Sequence, residues 1–97
     1  MRTALVRAIK DSMRMSTASI IIDNDINGCI DACLMDLQLA GVVKIDETDA
    51  LIIRAAQLFT KADFNYNNMS DKYRQSYDAL KMSLALAGDY NTKESEG

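Results

Sequence analysis

Ninety-seven residues are enough for one small domain with its own core and too few for two. With 48% hydrophobic and 26% charged residues, the chain has the composition of a folded soluble protein rather than a disordered one. Eleven basic against 14 acidic residues leave a formal net charge of −3. That argues against sequence-independent binding to nucleic acid, which needs a surplus of Lys and Arg on one face.

The first predicted element runs from Thr3 to about Met13, where Leu5, Val6, Ile9 and Met13 make an apolar stripe and Thr3 is placed to cap. Arg14 to Ser19 is a polar break. From about Ile21 to Ala40, apolar residues recur every three or four positions: Ile22, Ile26, Cys29, Ile30, Cys33, Leu37 and Ala40. Gly41 follows where a helix takes a left-handed terminal residue. Val42 to Ile45 reads as an extended connector, and Asp46 or Thr48 as the cap of a third helix reaching Asp63.

In that third helix only Arg54, Gln57 and Lys61 form a polar stripe, while Ile52, Ile53 and their neighbours are apolar nearly all round. A helix of that kind is central, or shared with another subunit. Part of it, or of the second helix, is therefore expected at a subunit interface, with Ile52, Ile53, Arg54, Gln57 and Lys61 as the candidate residues. Asn65, Asn67 and Asn68 mark a loop tolerant of positive φ. Ser70 is the expected cap of a fourth helix with a stripe of Tyr73, Tyr77, Leu80, Leu84 and Ala87, ended by Gly88. The polar residues 89–97 cannot bury themselves. The expected architecture is all-α, a four-helix domain over 1–88 and a C-terminal arm over 89–97.

Catalysis has little support. Histidine is absent, and the four glycines stand singly, forming no nucleotide or nucleophile motif. Cys29 and Cys33 lack a second pair for zinc and read as small buried hydrophobes in a reducing compartment. The stretch Asp23-Asn24-Asp25-Ile26-Asn27-Gly28 imitates the start of a calcium loop. Its position 12 is Leu34, where such loops need a bidentate acid. As the first turns of a helix, the same acids suit the helix dipole. No cofactor or metal is expected. No apolar run approaches membrane-spanning length and no leader-like block opens the chain, so folding in a cytoplasm is expected.

The order and spacing of several patterns resemble one family. They are Asp23-x-x-Ile26-x-x-x-Ile30-x-Ala32, then Asp36-Leu37-x-x-x-Gly41-Val42. Ile45-Asp46-x-x-Asp49-Ala50-Leu51-Ile52-Ile53-x-Ala55 and Lys61-Ala62-x-Phe64 follow. Last come Tyr73-x-x-Ser76-Tyr77-x-x-Leu80-Lys81-x-x-Leu84 and Gly88-x-Tyr90. Over about seventy residues the chain resembles the head–tail connector (adaptor, or head-completion) proteins of long-tailed bacteriophages, a group often labelled for DNA packaging.

The resemblance implies a structural protein of the virion neck, assembled in the host cytoplasm. In the family, about twelve copies form a cyclic ring under the portal. The ring extends the DNA channel, retains packaged DNA and docks the next neck, stopper or tail protein. DNA passes through without sequence-specific binding. The family's C-terminal arm reaches the portal, a role that falls here on Asp89, Tyr90, Asn91, Thr92, Lys93 and Glu94. The competing reading is a small cytoplasmic helical interaction or DNA-binding module, although no helix carries the Arg, Lys, Asn and Gln of a recognition helix. An EF-hand-like calcium module is the third.

Overall fold

The computed structural model describes residues 3–15 and 19–91. Helix α1 spans Thr3–Ser12, α2 Ile20–Ala40, α3 Ala50–Asp63, α4 Ser70–Leu86 and a single turn, α5, Gly88–Asn91; a 3-10 turn at Tyr66–Asn68 precedes α4. The all-α architecture expected from periodicity is the one found.

Helix α2 starts at Ser19, whose extended backbone lets its Oγ accept from the Ile22 amide at 3.4 Å. It stops because Gly41 adopts φ 106, where a β-carbon would be strained. The Gly41 amide then donates to Gln38 O and the Val42 amide to Leu37 O. Leu37 and Val42 are both buried beside this reversal, which pins the exit of the chain.

Helix α3 is capped by neither Asp46 nor Thr48. Asp46 is turned into a local loop bond, accepting from the Thr48 amide at 2.8 Å and hydroxyl at 2.6 Å. Asp49 caps instead, its Oδ1 accepting from the Leu51 amide at 2.8 Å. The loop after α3 holds Asn65, Asn67 and Asn68 at positive φ, as their side chains permit. Ser70 is not a cap. Its hydroxyl donates back to Ala62 O at 2.6 Å, while Asn65 Oδ1 accepts from the Ser70 amide. Helix α4 ends one residue before an extended Ala87, and Gly88 opens α5.

The core is built around α3. Its Ile52, Ala55, Ala56, Leu58 and Ala62 meet α1 through Leu5 and Ile9, α2 through Ile26, Ile30, Cys33 and Leu37, and α4 through Tyr77 and Leu84. The alanines explain how one helix serves three neighbours: a methyl side chain allows close approach on every side. Each fully buried Ile or Leu contributes roughly 1.5–3 kcal/mol.

Candidate functional site

Chemical sites come first. Residues 20–40 are continuous helix, so the oxygens of the calcium-like stretch radiate outward instead of converging. Asp23 is taken by Lys10 at 2.9 Å. Among the described residues, no group of three or more His, Cys, Asp or Glu is placed to share a metal ion. Burial, aided by a hydrogen bond to Asp63 Oδ2 at 3.3 Å, raises the Cys29 thiol to about 12. Burial raises Cys33 to about 11. Both stay protonated at neutral pH, when the thiolate is the reactive form.

The surfaces say more. Of the five residues expected at a subunit interface, Ile52 is fully covered by its own chain and has no surface to offer a second one. Ile53 is half-buried against the same core. Gln57 Nε2 donates to Ala8 O at 3.2 Å, tying α3 to α1. Lys61 sits over the rings of Tyr66 and Tyr73, and burial, with repulsion from Arg54, lowers its pKa. Arg54 alone of the five is exposed. Arg54, Gln57 and Lys61 thus form a half-covered stripe, two of them engaged by their own chain.

The most exposed large apolar residues lie on α2 and α4, although Leu51 of α3 is exposed as well. Ile21, Met35 and Leu39 on α2, with Met82 and Leu86 on α4, are exposed. Beside α2 runs a groove that passes Gly28, Cys29 and Ala32 and continues past Met35 and Leu39. Phe59 lies along both parts of it, its ring edge-on to Tyr77 at 5.2 Å and covered by the Arg74 guanidinium. Periodicity alone did not reveal this face, because α2 is apolar on two sides and the stripes blur together. Reading the residues opposite Ile26, Ile30 and Leu37 would have found it.

The expected arm also begins differently. Tyr90 is docked on its own domain: its carbonyl accepts from the Val43 and Lys44 amides at 2.6 and 3.0 Å. Its hydroxyl donates to Asp49 Oδ2 at 2.8 Å, the carboxylate that caps α3. Asn91 Nδ2 donates to Ala85 O. Asp89 to Asn91 thus close the helical body, and Thr92, Lys93 and Glu94 lie outside the described residues.

The family model for phage connector proteins matches residues 5–91, from the first buried leucine to the last turn. The chain belongs to the phage connector protein family. No curated protein and no solved structure matches it. The matched span contains nearly all of the helical body of the connector described above, including the Tyr90 latch and both exposed apolar faces. The family is structural rather than catalytic. No helix among the described residues is long and apolar enough to cross a membrane.

Proposed function

We propose that this connector forms a ring of about twelve copies between the portal and the tail of a phage particle, extending the DNA channel and docking the next neck, stopper or tail protein. The match of the connector family across the helical body carries this reading. Two features of the chain support it. A small domain that leaves Met35, Leu39, Met82 and Leu86 in water has surface to give to neighbours. A net charge of −3 lets phosphates slide past, where a basic wall would hold them.

Retention of DNA and contact with the portal belong to the same reading. Because Tyr90 is latched to its own domain, the portal contact expected of Asp89, Tyr90, Asn91, Thr92, Lys93 and Glu94 falls mainly on the last three. Removing the gene from a phage that carries it tests the proposal. Electron microscopy should then show heads that filled with DNA but lie apart from free tails, and complementation should restore whole particles. Normal yields of intact particles without the protein would overturn it.

A further inference from the structure

On α2 the outward residues Ile21, Asp25, Gly28, Ala32, Met35 and Leu39 alternate at spacings of four and three. That is the spacing of a coiled-coil seam. On α4, Lys72, Gln75, Ala79, Met82 and Leu86 do the same, all of them exposed. Both seams carry large residues in water: Leu39 is 80% exposed, Met35 59%, Leu86 77% and Met82 65%.

From Asp25 to Leu39 the α2 seam matches the α4 seam position by position. Laid parallel, Leu39 meets Leu86, Met35 meets Met82 and Ala32 meets Ala79. Gly28, where an added β-carbon would touch nothing within 4 Å, faces the long Gln75, and Asp25 faces Lys72. We infer that the α2 seam of one copy packs in parallel register against the α4 seam of the next.

Charge selects this pairing over a symmetric one. Each seam carries one charge, Asp25 on α2 and Lys72 on α4, whereas two α2 seams would set Asp25 against its copy when parallel, or bury it against Met35 when antiparallel. Helix α4 supplies Lys72 and Arg74 near its start. Direction agrees as well. Asp63 at the end of α3 lies by Cys29 of α2, while Phe59, one turn earlier, lies by Met35 and Leu39, so these two helices run oppositely. Phe59 packs on Tyr77 while Ala62 bonds Ser70, so α3 and α4 also run oppositely. Within one chain α2 and α4 therefore share a sense. A rotation of about 30° between neighbours in a ring of about twelve preserves it, whichever way the axis lies. The inference rests on the connector reading for its reason to join copies, and a seam-to-seam contact uses two different faces, so it propagates from copy to copy.

Crosslinking of introduced cysteines tests it, in a background where the native Cys29 and Cys33 are replaced by Ala. Leu39→Cys protein is mixed at high concentration with Leu86→Cys protein bearing a mass tag, oxidised with diamide and weighed intact. The Met35→Cys and Met82→Cys pair is treated likewise. Circular dichroism confirms that each variant is folded. The mixed species, one Leu39→Cys chain joined to one Leu86→Cys chain, should dominate both homodimers. Lys72→Asp on the Leu86→Cys partner should lower its yield about threefold, and Asp25→Lys on the other partner should restore it. Predominant homodimers of the Leu39→Cys chain, or no crosslink at all, would overturn the pairing. If the crosslinks fail while the protein is still found in phage necks, only the seam contact is lost and the connector reading stands.

Discussion

Tyr77 is the largest side chain sealed inside this protein, and its hydroxyl leads out of the core to a carboxylate. It donates to Asp36 Oδ2 at 2.7 Å, and Lys81 Nζ donates to the same oxygen at 2.9 Å. Burial, with the bond to Asp36, pushes the Tyr77 pKa far up and keeps the phenol neutral. Burial also opposes the charge on Asp36, but the Tyr77 and Lys81 hydrogen bonds and the cations Lys81 and Arg74 outweigh it and lower its pKa. Tyr77→Phe and Asp36→Ala should each cost about 1–3 kcal/mol in urea unfolding, and the double variant less than their sum. A carboxyl with a depressed native pKa stabilises the fold when charged. The advantage of the native chain over Asp36→Asn should hold above the ordinary value of 3.8 and fade as pH falls below it. Thr60 offers the opposite test. Its Oγ1 is buried, with the Cys29 thiol as its one weak hydrogen-bond neighbour among the described residues. Thr60→Val, which replaces that hydroxyl with a methyl group, should raise stability by about 1 kcal/mol.

At the scale of elements, the ends of the helices are held by a few groups, and they differ in how readable they are. Gly41 was legible because a left-handed exit favours one residue type, and Gly41→Ala should cost about 1 kcal/mol, seen as a lower melting temperature. The start of α3 was not legible: Asp46, Thr48 and Asp49 are all good caps within four positions, and only the hydrogen bonds tell them apart. Gly88 reads as a stop, yet the chain turns extended at Ala87 and re-enters a helix for one turn. What makes that turn worth forming is distant in sequence, the amides of Val43 and Lys44 and the carboxylate of Asp49. Tyr90→Phe should therefore leave far-ultraviolet dichroism nearly unchanged while speeding hydrogen exchange at Val43 and Lys44. Unchanged exchange there would mean that the tyrosine hydroxyl does not hold the latch.

For the whole molecule, the four long helices and their buried stripes followed from periodicity, and the family from the order of patterns along the chain. The interacting faces did not follow. The apolar breadth of α3 suggested a shared helix, but its alanines let three neighbours of the same chain close around Ile52, which leaves that residue no surface of its own to share. The second apolar face belongs to α2, which a single-period reading merges with its core side. The acids at the start of that helix imitate a calcium loop, but Leu34 stands where its bidentate acid belongs, and Asp23 pairs with Lys10. These placements turn a small acidic helical domain into a part with distinct sides, one closed by Tyr90 and two left open. Cryo-electron microscopy of phage particles carrying an epitope-labelled copy tests the central claim most directly. The connector account predicts label density in a ring of several copies between portal and tail; particles that lack the label, or carry it only at the capsid surface or tail tip, would contradict it.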